Sequence, residues 1–354
     1  MPELRGAVIG YGLAGSVFHA PLIAATPGLQ VGTIVTNDPE RRAAALRTYP
    51  DSVVVSDVDE LLLDASANDF VVVAAPNEVH VTLARRALDA GLPVVVDKPV
   101  APTADQARAL VEHAEDRRVA ITAYMNRRWD SDQLTLRRLL EEERLGKVLR
   151  YESRLERWRP ALSEPVRWRE ASPPEAGGGI LLDLGPHLVD QAILLFGEVS
   201  SVYAELANRR GGGADDDAFV ALDHASGVRS HLWASLLAAS PGPRLRVLGD
   251  RAAYVVPEVD GQEEALVSGA RPEDDGDWGT EPPEKWGRLF DGEDSEPVPS
   301  ERGDWPRFYA QLEEALRRGS PLPVDPRDAV VGLEVLDAAR HSAATGTVVS
   351  LRPD

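Results

Sequence analysis

The chain has 354 residues, enough for two domains, and its 43% apolar and 27% charged content is that of an ordinary globular protein. A formal net charge of −20 repels nucleic-acid phosphates and anionic lipid, so neither is expected as a partner. The lack of cysteine excludes disulfides, thiolate zinc sites, iron–sulfur clusters and a cysteine nucleophile, and no metal site is expected.

The N-terminal "MPELRGAVIGYG" runs straight into a strand-like stretch without the basic and apolar segments of a signal peptide. No apolar run approaches the roughly 18 residues of a membrane span, so a cytoplasmic protein is expected. Residues 1–125 then alternate two kinds of segment. "RGAVIGYG", "LQVGTIVTN", "SVVVS", "DFVVVAAP", "LPVVVDKP" and "VAITAYM" are rich in Val and Ile and do not alternate, as suits parallel strands covered on both faces. Between them, "DPERRAAALRTY", "VHVTLARRALDAG" and "TADQARALVEHAEDRR" read as helices, the second closing on glycine and the third opening on Thr103 as N-cap. Six such strands with intervening helices predict a doubly wound α/β sheet, a dinucleotide-binding Rossmann domain over 1–125.

From 126 to 354 the rhythm changes. A charged helix, "SDQLTLRRLLEEERLG", precedes "KVLRYESRLERWRP". "VSSVYAELANRR", "DDAFVALDHASG", "VRSHLWASLLAA", "RLRVLGD" and "AAYVVPE" alternate, which predicts an α+β domain with an open-faced, mainly antiparallel sheet. Residues 257–305, with acidic runs such as "PEDDGDW" and "DGEDSEP", read as a solvated loop. Two helices follow, "WPRFYAQLEEALRRG" and "DPRDAVVGLEVLDAARHSAATG", free to pack back on the first domain, and the chain ends near an apolar "TVVSL".

Three stretches carry chemistry. "GYGLAG" at residues 10–15 is a G-x-G-x-x-G between the first strand and a helix. Gly10 permits the tight turn, Gly12 lets backbone approach a pyrophosphate, and Gly15 lets helix and strand pack closely. Leu13 and Ala14 complete the turn, whose unpaired amides face the phosphates. In this motif an acid after the second strand holds the ribose of NAD. Here the strand ends in Thr36 and Asn37, which can accept a 2′-phosphate, with Arg41 and Arg42 one turn on. NADP is therefore preferred over NAD. Asp38 is the rival, as a ribose ligand in a loop shifted by two residues. The second stretch is "VVVDKPV", residues 94–100, which places Asp97 and Lys98 at the lip of an apolar strand. The third is "GGGILLDLGPHLVDQ", residues 177–191, in which Asp183 and His187 are four apart and share a helix face. Alone, it reads better as a glycine loop feeding a core helix, with His187 a satisfied core residue.

These segments are not alone. From "GYGLAGSVFHAPLI" through "AAPNEVH" and "VVVDKPV" to "GGGILLDLGPHLVDQAILLFG", the chain resembles the Gfo/Idh/MocA oxidoreductases over essentially its full length. By "FHAPLI", "NRRWDSD" and "DLGPHLVDQ" it is most similar to the branch that contains NADP-dependent scyllo-inositol dehydrogenases. The resemblance implies a Rossmann domain followed by an open-faced antiparallel sheet. It also implies Lys98, Asp183 and His187 as the catalytic set, and Pro76, Asn77 and His80 along the central ribose and nicotinamide half of the cofactor. Ligands of such sheets lie beyond the carboxyl ends of the strands, where Lys98 sits. Its ammonium can stabilise growing alkoxide character, His187 can take the hydroxyl proton, and Asp183 can orient His187.

Two departures stand out. The family usually has glutamate where this chain has Asp97. Pro186 falls between Asp183 and His187, which predicts a helix starting near Gly185, with His187 kept neutral by a helix N-terminus. Asn126, after the sixth strand, is a candidate for nicotinamide or substrate, and Arg127, Arg128 and Trp129 for bracing the domain interface. Trp168 and Arg169 are substrate candidates: an indole face suits the C–H surface of a sugar, and a guanidinium suits hydroxyls or a carboxylate. His19 has no assigned role. His231 and Trp233 lie on the second sheet, whose exposed face is the expected contact of a homodimer or tetramer.

The expected activity is hydride transfer between a secondary alcohol of a sugar, polyol or cyclitol and a nicotinamide. The alternatives are a glycoside hydrolase that cycles its bound NAD and a nucleotide-sensing protein without turnover.

Overall fold

Short valine-rich runs separated by amphipathic helices can bury both faces only as a parallel sheet, and that is what they build. The computed structural model describes residues 2–272 and 276–351. In its first half β1 (Leu4–Ile9), α1 (Ala20–Ala24), β2 (Leu29–Val35), α2 (Pro39–Thr48), β3 (Val53–Val55), α3 (Val58–Leu63), β4 (Phe70–Val73), α4 (His80–Asp89), β5 (Val94–Asp97), α5 (Ala104–Arg117) and β6 (Ile121–Tyr124) follow in order. The six strands pair in the order β3-β2-β1-β4-β5-β6, every pair parallel. The order reverses between β1 and β4, which opens the crevice where dinucleotides lie in such sheets. Thr103 caps α5 through the amide of Gln106, as its sequence position predicts.

The helix after the glycine turn is not a simple α-helix. Ala14–His19 form a π-helical turn that leads into α1. Such widened turns recur at functional sites.

The second half comprises α6 (Ser131–Glu141), β7 (Val148–Glu156), α7 (Trp168–Ala171), α8 (Ile180–Phe196), β8 (Val199–Ala207), β9 (Asp217–His224), β10 (Arg229–Ser235), β11 (Leu245–Gly249), β12 (Ala253–Val256), α9 (Gln262–Ser268), β13 (Arg288–Phe290), β14 (Ser295–Pro297), α10 (Pro306–Arg318), α11 (Pro326–Thr345) and β15 (Val349–Ser350). The nine strands run β14-β13-β12-β11-β7-β10-β9-β8-β15. All neighbours are antiparallel except β7 and β10, which are parallel. The inner face packs on α8, and α11 packs on α8, on β8 and on α5 of the first half. Among the described residues no helix is long and apolar enough to cross a membrane.

Two expectations are corrected here. The acidic segment 257–305 is not simply a solvated loop. It contributes α9 and the edge strands β13 and β14, and Asp260 and Gln262 are buried. Asp260 accepts the Ser131 amide at 2.7 Å, and the Gln262 carboxamide accepts from Trp305 N at 2.8 Å and Trp278 Nε1 at 3.1 Å. Residues 273–275 of "PEDDGDW" lie outside the described residues. Second, α8 does not begin near Gly185. It begins at Ile180, because Asp215 takes its first amides: the Ile180 N–H donates to the Asp215 carbonyl at 2.8 Å and the Leu181 N–H to its carboxylate at 2.7 Å. Pro186 is therefore inside the helix.

Candidate active site

The crevice is built from strand ends. After β1 the backbone turns through Gly10 at φ 96°, where a Cβ would lie 2.7 Å from the Ala74 carbonyl oxygen. The fold itself requires that glycine. Gly12 differs, because a Cβ there would meet only an Arg41 guanidinium nitrogen, at 3.8 Å. Its bareness serves whatever approaches the turn from outside. Leu13 beside it is 56% exposed, unusual for a leucine in a closely packed turn. A close-approach glycine, an exposed turn and a guanidinium above it fit a dinucleotide pyrophosphate.

At the end of β2, Thr36 is buried and Asn37 exposed. Asp38 N-caps α2, accepting the amides of Glu40 at 2.9 Å and Arg41 at 3.0 Å, and lies 3.6 Å from the Arg41 guanidinium. Its carboxylate is thus already engaged. Arg41 is largely exposed.

Lys98 stands where β5 ends, and its peptide bond to Pro99 is cis. Its ammonium donates to the Asp183 carboxylate at 2.9 Å and to the Asp183 carbonyl at 2.5 Å. Asp183 in the first turn of α8 also lies 3.3 Å from Arg169. Burial alone would raise the Asp183 pKa, but Lys98 and Arg169 outweigh it and hold the carboxyl well below the usual carboxylate range. His187, one turn further along α8, is buried, and its Nδ1 has no hydrogen-bond partner. Burial first, then the positive charges of Lys98 and Arg127, push its pKa well below the ordinary histidine value, against the opposing pull of Asp183. The neutral ring is favoured. The cause is not a helix N-terminus, because His187 lies inside α8. Nor does Asp183 hydrogen-bond His187; the carboxylate is turned to Lys98 and Arg169.

The other nominated residues divide. Asn126 is buried at the end of β6, and Pro76 is exposed after β4. Asn77 donates its side-chain amide to the Gly177 carbonyl at 2.9 Å, joining the crevice to the glycine run that opens α8. A Cβ on Gly177 would lie 2.5 Å from that of Asn77, so the glycine permits the approach. Arg169 reaches the site, stacked 4.5 Å over Trp168, which is half-buried. His80 does not line the crevice. It is fully buried, with Nδ1 2.8 Å from the Pro99 carbonyl and Nε2 2.7 Å from the Ala75 carbonyl, and ties the end of β4 to the Lys98–Pro99 turn. Asp97 likewise faces inward. It accepts the Lys98 amide at 2.8 Å and lies 3.8 Å from Nε2 of the buried His19, whose Nδ1 pairs with the Tyr309 hydroxyl at 2.6 Å. Burial raises the Asp97 pKa, and His19 and Lys98 more than offset that. These groups form the floor under Lys98 rather than contacts for a ligand.

Sequence reasoning missed Glu263 and Arg157. Glu263 in α9 pairs with Arg127 and accepts from Arg157 at 3.0 Å, which brings the acidic segment into the site wall. No local pattern distinguishes Glu263 from the exposed acids around it.

Comparison with known proteins agrees with this geometry. Residues 4–125 match the oxidoreductase family's NAD-binding Rossmann fold, and residues 137–351 its C-terminal alpha/beta domain. The chain is 39% identical over 344 residues to the uncharacterized oxidoreductase YdgJ of Escherichia coli (strain K12), covering 96% of each. It is 33% identical over 353 residues to scyllo-inositol 2-dehydrogenase (NADP(+)) IolW of Bacillus subtilis (strain 168), covering 98% of this chain and 96% of that one. The structure of the oxidoreductase yvaA from Bacillus subtilis superposes with a TM-score of 0.92 at 32% identity, over 99% of both chains. With both family domains matched in order over most of its length, the chain belongs to the Gfo/Idh/MocA oxidoreductase family.

Proposed function

We propose that the protein is a dehydrogenase that moves hydride between a secondary alcohol of a sugar, polyol or cyclitol and a nicotinamide dinucleotide, NADP in preference to NAD. One observation carries the reading: Lys98 at the end of β5 pairs with Asp183 of α8, one helical turn before His187. An ammonium has three donors, and Asp183 takes two, through its carboxylate and its carbonyl. The third remains for a substrate oxygen, where it would stabilise the negative charge that grows as the C–H bond breaks. His187, neutral and with an unpaired Nδ1, would accept the hydroxyl proton as the alcohol becomes a ketone. Asp183 holds Lys98 in place and balances its charge. The glycine turn of Gly10–Gly15 would hold the pyrophosphate, and Arg41 with Thr36 and Asn37 a 2′-phosphate. The bound nicotinamide supplies the hydride acceptor. The engaged Asp38 and the name of the IolW relative support NADP.

The outer face of the second sheet presents Phe219, His231 and Trp233, with Arg154 stacked 3.9 Å over Trp233. A second copy of the chain would cover this face, giving a dimer or tetramer; a monomeric mass in solution would contradict it. A soluble nicotinamide pool is needed, so a cytoplasmic setting belongs to the same proposal. The reading is tested by incubating the protein with inositols, polyols and aldoses and with NADP or NAD, following nicotinamide absorbance. At least one alcohol should reduce NADP faster than NAD. NADPH binding without turnover of any alcohol would leave only a nucleotide-binding protein.

A further inference from the structure

A hydride-transfer site for a neutral polyol needs one ammonium and one base. This site holds many more cations. The stretch after β7 carries Arg157, Arg159, Arg167 and Arg169 within thirteen positions. The Arg157 amide donates to the Ser235 carbonyl at 2.8 Å and the Arg159 amide to the Leu236 carbonyl at 2.7 Å, so this backbone runs extended beside the end of β10. A spacing of two then puts the Arg157 and Arg159 side chains on one face, with Trp158 on the other. Arg210 fixes the stretch from behind, donating to the carbonyls of Arg159 and Ala161, each at 3.2 Å.

Partners are scarce on the crevice side. Arg157 shares Glu263 with Arg127, and Arg169 shares Asp183 with Lys98. Among the described residues Arg159 and Arg167 have no carboxylate within ion-pair distance. Arg159 is exposed, on the same side of the extended stretch as Arg157, which reaches Glu263. Lys98, Arg127, Arg157 and Arg169 thus draw on Asp183, Glu263 and Asp130, and Arg159 adds a further cation without a carboxylate of its own, a local excess of positive charge in a chain of net charge −20. Crowding guanidinium groups together is unfavourable unless an anion joins them.

We propose that the substrate is an anionic polyol, a hydroxylated sugar or cyclitol carrying a carboxylate or a phosphate, whose charged group is met by Arg159 and Arg157 while its reacting hydroxyl faces Lys98 and His187. This rests on the dehydrogenase reading and names the substrate class for the same crevice. Planar guanidinium forks suit either anion, and Arg159, with no internal partner, is the freer of the two.

The test pairs neutral and charged substrates with NADP: glucose against glucuronate and glucose 6-phosphate, and myo-inositol against an inositol monophosphate. An anionic member should exceed its neutral partner in kcat/KM by about tenfold or more, as a charge-assisted contact allows, and the carboxylate and phosphate arms show which anion is taken. Arg159→Gln should raise KM for that anion about tenfold with a smaller change in kcat, Arg159→Lys should restore part of it, and Arg159→Glu should abolish the preference. Turnover of neutral polyols at equal or better kcat/KM, or an anion preference untouched by Arg159→Gln and Arg159→Glu, overturns the inference and leaves the dehydrogenase reading standing. If no compound is turned over, quenching of bound NADPH fluorescence by the same compounds decides. Anion-selective quenching lost in Arg159→Glu supports the inference although the dehydrogenase reading fails; unselective or absent quenching overturns it.

Discussion

The valines at the centre of the parallel sheet and the run Asn126–Gln133 are equally buried, yet they are built from opposite chemistry. Val71–Val73 and Val94–Val96 are part of the buried apolar core. In Asn126–Gln133 only Trp129 is apolar, and the run is held by partners distant in sequence. The Arg128 guanidinium forks onto Asp190 of α8 at 2.6 and 2.9 Å and also reaches Asp328 of α11 at 2.8 Å. Asp130 accepts from Trp305 Nε1 at 2.8 Å, and Asp132 lies 3.0 Å from Arg244. The difference teaches where rigidity comes from in each half. The sheet needs only apolar area, whereas the segment leading from β6 into the second half is locked by matched charges. That lock also fixes α8, and with it Asp183 and His187.

Breaking each region once should expose the contrast. Arg128→Met leaves the buried Asp190 without its main partner and should cost about 3–5 kcal/mol, read as a shift of the urea midpoint. Arg128→Met with Asp190→Leu removes both charges and should recover much of that loss. Val72→Ala removes two methyl groups from the sheet core and should cost only about 2 kcal/mol, with no second substitution able to repair it so simply. If Arg128→Met is as mild as Val72→Ala, the charged run is not the lock described here.

A smaller effect belongs to the glycine-turn edge of the first half. Arg41→Ala should raise KM for NADP about tenfold, about 1.4 kcal/mol, and leave KM for NAD within about twofold. The subtlest contrast is in pH. Burial and the Lys98 and Arg127 charges depress the His187 pKa, so the base stays deprotonated through neutral pH and loses activity only as pH falls below the ordinary histidine range. The acid limb of kcat/KM should therefore lie below about pH 6.5. A limb above pH 7 would mean that the imidazolium is favoured in the free enzyme.

The same contrast explains what the sequence discloses. The first sheet is legible because continuous valine runs between glycine-stopped helices allow few alternatives, and the glycine turn because a strand precedes it. Lys98, Asp183 and His187 are legible by resemblance to the family and by the end-of-strand rule. The buried charges of Asn126–Gln133 are not: their partners lie some sixty to two hundred residues away, and locally the run looks solvent-facing. Glu263 hides among surface acids for the same reason. Pro186 suggests a late start for α8 because the Asp215 cap that begins the helix earlier lies in a different segment. His80 resembles a cofactor contact in sequence, but its two carbonyl partners enclose it.

The central claim is that Lys98 acts on the reacting alcohol rather than merely closing a strand. Lys98→Met should be assayed with NADP and the best alcohol of the panel, with NADPH affinity measured in parallel by fluorescence. The rate should fall by about 10³ or more while NADPH still binds within about tenfold of the wild type. Turnover by Lys98→Met at the wild-type rate would contradict the assignment of this crevice as the site of hydride transfer.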